Sequence, residues 1–421
     1  MRIIVIGAGI VGLTSAWWLA RDGHAVTVID RAPGVGQGAS QANGAQLSYS
    51  YVAPLASGSV LRSLPGWLLS GASPVRLRPA FDPAQVTWLL RFLAACTQRA
   101  SDAATAKLLA LSALSRASLH EMLAATPVEF HHRRNGKLVV LSSPGSMREA
   151  ERQMRLQAPL GSRQEAFTRE DCLALEPALA AIGGRLVGGI HTPDEEVGDC
   201  RALCEGLHDV LAAPPFGVTF LLGTEVRGLR RGGDGIAALV TSAGDAEADR
   251  YVLASGARSA PLARMAGLRV PVQPIRGYSI TAALRAGNAA PVRSITDAAR
   301  KVVYAPVGGA LRVAGFAEID RGRDELRPDR IASLAAALAA TFPDACAPDD
   351  LRPERLQPWS GLRPATPTSL PLIGRTRVRN LLVNAGQGAL GFTLAAGSAR
   401  LLADLVAGRQ PPFDAAAFAP M

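Results

Sequence analysis

The first thirty residues contain the feature that most restricts the fold of this chain, a glycine-rich turn between two apolar strands. Residues 3–6 form a continuous β-branched run, which is typical of a strand buried on both faces. Gly7, Gly9 and Gly12 follow in G-x-G-x-x-G spacing, and residues 13–21 continue as a helix. Here the first glycine permits a tight turn, the second lets a pyrophosphate approach the backbone, and the third lets helix and strand pack closely. The sequence therefore predicts a dinucleotide at the amino terminus of the helix.

The second strand places an acidic residue where a ribose would lie. Asp30 ends an apolar strand 18 residues after Gly12, and a carboxylate there can accept hydrogen bonds from a ribose diol. We expect Arg31 beside it to contact the cofactor as well. The uncharged stretch 3–20 also mimics a signal peptide or a membrane span, but the glycine spacing favours the dinucleotide unit. This motif alone does not choose between NAD and FAD.

A loop after the second strand is the first of three stretches that favour a flavin. The segment "GASQANGAQLS", residues 38–48, is rich in small hydrogen-bonding residues, which suit a loop threaded along a pyrophosphate and a flavin. We expect Ser40, Asn43, Gly44 and Gln46 to contact the cofactor. A simple surface loop is the alternative interpretation of this stretch taken alone.

The second stretch is a strand that ends in small residues. In "ADRYVLASGARS" the run 251–253 is apolar and leads into Ser255 and Gly256, where a larger side chain would collide with a dinucleotide. Before it, residues 218–244 alternate like a hairpin, and we expect Val226 within it to contact the cofactor. A β-meander inserted into a dinucleotide-binding fold is expected of FAD proteins and is uncommon in simple NAD dehydrogenases.

The third stretch, "LLVNAGQGALGFTLAAGSARLLADLVAG", is a strand, a second glycine loop and a helix near the carboxyl end. The amino terminus of that helix can point at the pyrimidine side of a flavin and stabilise its anionic reduced ring. A closing helix after a tight turn is the alternative. The predicted cofactor contacts in this stretch are Gly388, Leu390, Gly391, Phe392 and Thr393.

Length and charge exclude several other classes of protein. With 421 residues, 48% hydrophobic and 19% charged, the chain is long enough for two domains of a soluble enzyme. The net charge of +10 comes with no long Lys/Arg run, so we expect no nucleic-acid partner. The five scattered cysteines predict neither a disulfide framework nor a metal site. We also expect a cytoplasmic location.

Taken together, these motifs resemble the D-amino-acid dehydrogenase family, within the larger group of D-amino-acid oxidases and glycine oxidases. The resemblance runs nearly end to end and includes "GAGIVGLTSAWWLARDGHAVTVIDR", "LVGGIHTPDEEVGDCRAL", "PVQPIRGYSIT", "LRVAGFAEI", "GLRPATP" and "GQGALGFTLAAGSARLLADLVAGR". Of these, "DEEVGDC" and "RGYSI" favour the bacterial dehydrogenase branch over the peroxide-forming oxidases. The resemblance implies noncovalent FAD, oxidation of D-amino acids to imino acids that hydrolyse to 2-oxo acids, and electron delivery to a membrane quinone chain.

Arg363 is the predicted ligand of the substrate carboxylate. Its planar guanidinium group can form two parallel hydrogen bonds to a carboxylate, and the flanking Gly361 and Pro364 restrict the backbone around it. In glycine oxidase-like relatives the arginine that matches this Gly-Leu-Arg-Pro position holds the substrate carboxylate. We predict Tyr278 as a second carboxylate contact and Gly361 as a cofactor contact, with Arg276 as a weaker candidate. No residue is assigned as an acid or a base.

Two departures from the family pattern bear on the substrate. Residues 367–369 are Pro-Thr-Ser, where the dehydrogenase branch usually has Pro-Asp-Gly. Gln387 stands where that branch often has histidine, and an amide cannot titrate near neutrality as an imidazole can. The preferred amino acid is therefore left open, with cyclic substrates such as D-proline or hydroxyproline isomers among the alternatives.

We predict an α/β fold of two domains, a Rossmann-like FAD-binding domain with an inserted β-meander and an α+β substrate domain built on an antiparallel sheet, as in D-amino-acid oxidase. The predicted segments are 1–55, 195–268 and 351–421 for the first, and 56–194 and 269–350 for the second. Apolar residues in 103–125 predict a helix flanking the substrate sheet.

Residues 61–93 combine aromatic and aliphatic side chains with arginines, and two interpretations stay open for them. They suit an interfacial segment on the cytoplasmic face of the inner membrane, where a quinone could enter, or helices packed over the substrate domain.

Three other functions also remain open at this point. An oxidase of the same fold would use oxygen as the electron acceptor, and an NAD(P)-dependent Rossmann enzyme would use a different cofactor. A non-catalytic flavin-binding subunit of a larger dehydrogenase would keep the cofactor motifs and have no reaction of its own.

Overall fold

The computed structural model describes residues 1–58, 60, 75–77, 82–285, 290–319 and 326–420. Within these residues the α-helices are α1 (Ile10–Arg21), α2 (Pro83–Ala95), α3 (Gln98–Ala125), α4 (Pro144–Gln157), α5 (Arg169–Leu175), α6 (Cys200–Ala212), α7 (Ser259–Met265), α8 (Pro328–Thr341) and α9 (Gly391–Ala407). The β-strands are β1 (Arg2–Ile6), β2 (Ala25–Ile29), β3 (Gln46–Leu47), β4 (Val75–Leu77), β5 (Lys137–Leu141), β6 (Glu165–Thr168), β7 (Gly188–Thr192), β8 (Glu196–Val197), β9 (Thr219–Leu221), β10 (Val226–Gly232), β11 (Gly235–Thr241), β12 (Gly244–Ala246), β13 (Arg250–Leu253), β14 (Gln273–Ala283), β15 (Ser294–Asp297), β16 (Val302–Val307), β17 (Ala310–Ile319), β18 (Gln357–Ala365), β19 (Leu372–Arg375) and β20 (Leu381–Ala385).

The first sheet has the strand order β19-β20-β13-β1-β2-β9 and is parallel apart from its edge strand β19. Successive side chains of β1 alternate between two cores, as a strand buried on both faces requires. Ile3 and Val5 pack with the helices α1, α6 and α9, whereas Ile4 and Ile6 pack with the meander β10-β11-β12. The predicted Rossmann-like sheet with an inserted meander is therefore confirmed.

The second sheet has the order β18-β14-β17-β16-β15-β5-β7-β6, with β4 added beside β17. It is antiparallel except for the pairs β5–β15 and β4–β17. One of its faces carries a core that α8 completes, and the other face is crossed by the loop that follows β2. The predicted second domain with an antiparallel sheet is thus confirmed, with two parallel pairs added.

Strand β18 differs from the predicted segment boundary at residue 351. It pairs with β14 from Gln357 to Ala365, so the start of the predicted cofactor segment 351–421 belongs to the substrate sheet. The ladder with β14 gives the backbone groups on that side of β18 their hydrogen-bond partners, so the strand continues the substrate sheet.

Helix α3 also lies elsewhere than predicted. Its buried side chains Leu108, Leu111 and Met122 pack in the core of the first domain, against α9, and not against the substrate sheet. Gly397 of α9 makes this contact close, because a Cβ there would lie 2.7 Å from the carbonyl oxygen of Leu111.

One helical stretch among the described residues, Gly388–Ala407, is long and apolar enough to cross a membrane. Its mean hydropathy is 1.4, and 72% of its apolar window is buried inside the protein. That degree of burial is typical of the core helix of a globular domain, and α9 indeed packs on both α1 and α3.

Candidate active site

A cavity of about 1200 Å³ lies between the two sheets. This volume exceeds the range of about 300–1000 Å³ typical of pockets for one drug-sized ligand, so it has room for a dinucleotide and a small substrate. Every predicted cofactor or substrate residue lines it except Gly12 and the weaker candidate Arg276. The lining residues that were predicted are Gly7, Gly9, Asp30, Arg31, Ser40, Asn43, Gly44, Gln46, Val226, Ser255, Gly256, Tyr278, Gly361, Arg363, Gly388, Leu390, Gly391, Phe392 and Thr393.

The three glycines of the first turn have different roles. A Cβ on Gly7 would lie 2.5 Å from the carbonyl oxygen of Ala254, and one on Gly12 would lie 1.8 Å from that of Gly7. A Cβ on Gly9 would meet nothing nearer than the Ser40 hydroxyl oxygen at 3.5 Å, an ordinary contact. The protein itself therefore requires Gly7 and Gly12, whereas Gly9 leaves open space in the cavity, as a bound pyrophosphate needs.

Asp30 holds the first glycine turn through both of its carboxylate oxygens. One carboxylate oxygen accepts the N–H of Ala8 at 2.7 Å and the other accepts that of Ala32 at 2.8 Å. Each oxygen keeps a second lone pair for a ribose hydroxyl. The Ser40 hydroxyl oxygen accepts the N–H of Ile10 at 3.1 Å, which ties the loop after β2 to the first turn of α1.

The loop 38–48 connects the two domains across the cavity. The Ser279 hydroxyl of β14 donates to the carbonyl oxygen of Ala42 at 2.6 Å. Further along, the N–H of Ser48 donates to the Thr393 hydroxyl oxygen at 3.0 Å, in the first turn of α9. The loop is thereby held against the substrate sheet at one end and against a helix amino terminus at the other, as expected of a segment that follows an extended cofactor.

The second glycine loop leaves open space in the same way. No atom lies within 4 Å of a Cβ placed on Gly388 or Gly391. Gln387, which stands where the family often has histidine, is buried, and its amide donates to the Asn384 side-chain oxygen at 2.8 Å. Asn384 in turn donates to the Ser15 hydroxyl oxygen at 3.0 Å. Gln387 is therefore fixed by a chain of hydrogen bonds that reaches α1.

Arg363 extends from β18 to the cavity wall. Its Nη1 donates to the carbonyl oxygen of Phe316 at 2.6 Å, and no carboxylate of the described residues forms an ion pair with it. Gly277, on the neighbouring strand, has no side chain where the guanidinium lies. Burial lowers the pKa of the Arg363 guanidinium to about 10, so it is still charged at neutral pH. A desolvated cation without a counter-charge suits an incoming carboxylate.

Phe316 holds its carbonyl toward Arg363 through a β-bulge. The register between β14 and β17 shifts at this point, and Phe316 has a φ of 64°, a left-handed conformation that is rare for an aromatic residue. Its ring packs edge-on to Tyr278, with centroids 6.2 Å apart, and under the guanidinium of Arg330 at 4.6 Å. These contacts maintain a strained backbone beside the cavity.

Tyr278 lines the cavity, but its hydroxyl faces away from it. The hydroxyl donates to Glu318 at 2.9 Å, and Glu318 also accepts from Arg330 Nε at 2.7 Å. Burial and the Glu318 carboxylate raise the pKa of Tyr278 well above its usual range. This arrangement does not offer the predicted hydrogen bond from Tyr278 to a substrate carboxylate. The weaker candidate Arg276 is likewise buried in the sheet, 3.4 Å from the Ser360 hydroxyl oxygen.

Gly361 makes room for an aromatic wall that the sequence did not indicate. A Cβ on Gly361 would lie 2.1 Å from the Trp359 ring, so the indole lies across this glycine and lines the cavity beside Arg363.

The sequence patterns also missed Lys137 and Glu195, which lie close to each other in space. The only signal for Lys137 was a charged residue at the head of an otherwise apolar strand, in a chain with three lysines.

A group with metal-type ligands among the described residues is formed by His120, His132 and Glu196. The two imidazole Nε2 atoms lie 2.8 and 2.9 Å from the carboxylate oxygens, which are hydrogen-bond distances. The Arg134 guanidinium also lies 3.5 Å from the same carboxylate, where it would repel a cation. None of these four residues lines the cavity.

The fold and the cavity define a dinucleotide-binding protein with a cationic site for a small carboxylate, and comparisons with known proteins agree. A profile of the FAD dependent oxidoreductase family (DAO) matches residues 2–405. The D-amino acid dehydrogenase 2 of Ralstonia nicotianae is 47% identical over 433 residues, covering 100% of this chain and 99% of that protein. That of Pseudomonas aeruginosa is 44% identical over 429 residues, covering 100% and 98%. The chain therefore belongs to the D-amino acid dehydrogenase family of FAD-dependent oxidoreductases.

Solved structures share the fold. Glycine oxidase from Geobacillus kaustophilus superimposes with a TM-score of 0.76 at 22% identity, covering 100% of this chain and 98% of that one. L-proline dehydrogenase from P. horikoshii gives 0.73 at 18% identity, covering 100% and 96%. At these identities the likeness concerns the fold alone, and it agrees with the predicted two-domain class.

Proposed function

We propose that this protein oxidises D-amino acids to imino acids, which hydrolyse to 2-oxo acids and ammonia. The observation that carries the proposal is the Arg363 guanidinium, which is desolvated and lies on the wall of a dinucleotide-sized cavity. Among the described residues no carboxylate forms an ion pair with it. Membership of a family whose full-length relatives are D-amino acid dehydrogenases supports it. When bound, FAD supplies the hydride acceptor for the substrate Cα–H and passes the electrons on.

The residues of this chain would act mainly by binding and orientation. The edge of the Arg363 guanidinium that does not contact Phe316 would form two hydrogen bonds to the carboxylate. Gly277 gives the guanidinium its space, and the Phe316 carbonyl fixes its rotation. We assign no side chain as a base, because a substrate amine that has lost its proton to water can drive hydride transfer with its own lone pair.

The substrate is proposed to be a D-amino acid with an apolar side chain, cyclic ones such as D-proline included. Ile275, which pairs with Arg363 across the strands, Phe316, which accepts its hydrogen bond, and Trp359 all line the cavity and offer apolar and aromatic surface. A second charge on the substrate would find no partner among these three residues, at a cost of several kcal/mol in a desolvated site.

FAD is proposed to bind noncovalently. Covalent flavin links are most often formed by a cysteine thiol or a histidine imidazole. None of the described cavity-lining residues is a cysteine or a histidine, and all five cysteines are buried elsewhere.

The proposed electron acceptor is a quinone, reached from a cytoplasmic protein bound at the inner membrane. Helix α2 has apolar residues on both faces: Trp88 and Phe92 pack against the substrate sheet, including β18, which carries Arg363, while Leu90 on the outer face is 64% exposed. Val86 and Leu93 flank Leu90 on that face. Most of the predicted interfacial segment, residues 61–74 and 78–81, lies outside the described residues, so the proposal rests on α2 alone.

A vesicle experiment tests the membrane contact. Wild-type protein is expected to float with anionic phospholipid vesicles, and Leu90→Glu should reduce the bound fraction while activity with a soluble dye stays unchanged. Ala84→Glu, also exposed on α2 and equally charged but on another side of the helix from Leu90, is the matched control. Equal flotation of wild type and Leu90→Glu would contradict contact through this face.

Steady-state assays test the reaction and the acceptor. Purified protein with D-alanine or D-proline should reduce a soluble quinone analogue, form a 2-oxo or cyclic imino acid, and release little peroxide in air. The L-enantiomers serve as the control. Stoichiometric peroxide without quinone reduction would instead support an oxidase, and no turnover of either D-amino acid would contradict the proposed substrate class.

A further inference from the structure

Lys137 is a buried cation that the proposed reaction does not use. It is 2% exposed, and it lines the cavity at the start of β5. Its Nζ donates to the Gln46 side-chain oxygen at 2.9 Å and to the Ser48 hydroxyl oxygen at 3.0 Å, and it lies 4.4 Å from the centroid of the Tyr51 ring. All its described hydrogen-bond partners are neutral, so contact with them leaves its charge uncompensated.

The position of Lys137 in the sheet separates it from the substrate carboxylate. Strand β5 lies five strands away from β18, which carries Arg363. At about 4.8 Å between neighbouring strands this is roughly 20 Å or more. One amino acid is too small to bridge that distance, so Lys137 and Arg363 serve different parts of whatever occupies the cavity.

Ser48 links Lys137 to a helix amino terminus. Ser48, which accepts from Lys137, donates its N–H to the Thr393 hydroxyl oxygen in the first turn of α9. The amino end of a helix carries a partial positive charge. Residues 46–48, which belong to the loop predicted to follow the flavin, therefore lie between the Lys137 ammonium group and the positive end of α9.

Glu195 does not cancel the charge of Lys137 by direct contact. Its carboxylate accepts the N–H groups of Tyr49 at 2.6 Å, Ser50 at 2.7 Å and Tyr51 at 3.2 Å, and no ion pair joins these two described residues. Burial raises the pKa of Glu195 to about 7 and lowers the pKa of Lys137 to about 8. At neutral pH Lys137 is mainly charged and Glu195 is about half ionised, so the carboxylate offsets part of the ammonium charge through space while it holds the backbone of residues 49–51.

We propose that Lys137 is a positioning residue that raises the reduction potential of the bound flavin. Its ammonium stabilises the negative charge that the ring gains on reduction, and its hydrogen bonds hold Gln46 and Ser48 in place. The inference rests on the proposed binding of FAD, and it is independent of which amino acid is the substrate.

Three variants separate the charge of Lys137 from its hydrogen bonds. Lys137→Met removes both, Lys137→Gln keeps a donor without charge, and Lys137→Arg keeps the charge. Lys107→Met, at an exposed position of α3, removes the same charge outside the cavity as a control. The readouts on FAD-loaded protein are the flavin midpoint potential and the Kd of sulfite, an anion that adds to oxidised flavin and leaves a negative charge on it.

The Met and Gln variants are expected to have a lower potential and to bind sulfite about tenfold more weakly, the effect of losing roughly 1.4 kcal/mol of stabilisation. The Arg variant and Lys107→Met should stay close to wild type. Where Lys137→Met does not fold, the Gln variant carries the test.

Wild-type potential and sulfite affinity in the Gln variant would overturn the role of the charge. Neither readout uses an amino acid, so this outcome would leave the proposed oxidation of D-amino acids standing. Protein that binds no FAD would refute both proposals.

Discussion

Gly277 determines where the guanidinium of Arg363 can lie, and Gly277→Ala is therefore a sensitive test of the substrate site. A Cβ at this position would lie 2.3 Å from Nη2, 2.4 Å from Cζ and 2.8 Å from Nη1 of Arg363. Ordinary contacts of a Cβ begin at 3.4 Å, so the guanidinium would move by about 1 Å, the difference between 3.4 and 2.4 Å. The charge would remain in the cavity, but its two N–H groups would be displaced.

The expected loss follows from the hydrogen bonds. A hydrogen bond to a charged group contributes about 1.5–3 kcal/mol, so losing one of the two bonds to the carboxylate corresponds to roughly 10- to 150-fold weaker binding. FAD binding should hardly change, because Gly277 is not among the residues that line the cavity. The limiting rate of flavin reduction should fall as well, since a misplacement of about 1 Å disturbs the approach of Cα to the flavin.

Anaerobic stopped-flow mixing with D-alanine or D-proline measures both quantities, through the loss of flavin absorbance as the amino acid concentration is varied. Gly145→Ala is the control, because its Cβ would meet nothing nearer than the Ser143 hydroxyl oxygen at 4.0 Å. A folded, FAD-containing Gly277→Ala protein with the Kd and limiting rate of wild type would refute the assignment of Arg363 to the carboxylate.

Three further predictions concern the charge, the cofactor turn and the pH dependence. Arg363→Lys should weaken D-amino acid binding by at least about tenfold, because a point charge cannot reproduce the fork, while FAD affinity measured by fluorescence stays the same; equal loss of both would contradict this. Gly9→Ala should weaken FAD binding without changing the thermal unfolding of the apoprotein, whereas Gly12→Ala should impair folding itself, because its Cβ would lie 1.8 Å from a carbonyl oxygen; similar effects of the two changes would contradict their separate roles. Burial raises the pKa of Glu195 from 4.5 to about 7, so its contribution to stability is full below pH 4.5 and is lost as the pH rises through 7. Urea denaturation should therefore show wild type losing stability relative to Glu195→Gln over this interval, and parallel pH profiles would contradict the shift.

The predicted cofactor residues other than Gly12 come together in one cavity because their motifs are local. Each glycine turn lies between a strand and a helix that are adjacent in the chain, so spacing alone places the turn at a helix amino terminus. The structure adds what spacing could not tell, namely that Gly12 serves packing while Gly9 leaves space in the cavity.

Other contacts around the cavity join residues that are distant in the chain, and there the sequence was less informative. Tyr278 bonds Glu318, 40 residues away, and Lys137 bonds Gln46, 91 residues away. Such partners follow from strand order and register, which no local pattern contains. For the same reason, an apolar stripe showed that one side of α3 is buried but not that α9 covers it.

Ser369 explains one departure from the family pattern. It has a φ of 65°, the left-handed conformation that favours glycine, at the position where the dehydrogenase branch usually has glycine. Its hydroxyl oxygen accepts the N–H of Leu55 at 2.9 Å, and both residues line the cavity. The serine therefore lacks the conformational freedom of glycine, but its hydroxyl group holds the loop around residue 55 by a hydrogen bond.

The central claim is that FAD in this protein takes a hydride from a D-amino acid whose carboxylate is bound by Arg363. The most direct test is the anaerobic absorption spectrum of the FAD-loaded protein during titration with D-alanine and D-proline, with the L-enantiomers in parallel. The account predicts that at least one D-enantiomer bleaches the flavin band completely, that its L-enantiomer does not, and that Arg363→Lys needs a much higher concentration. Bound flavin that neither D-amino acid bleaches, or that both enantiomers bleach equally, would contradict it.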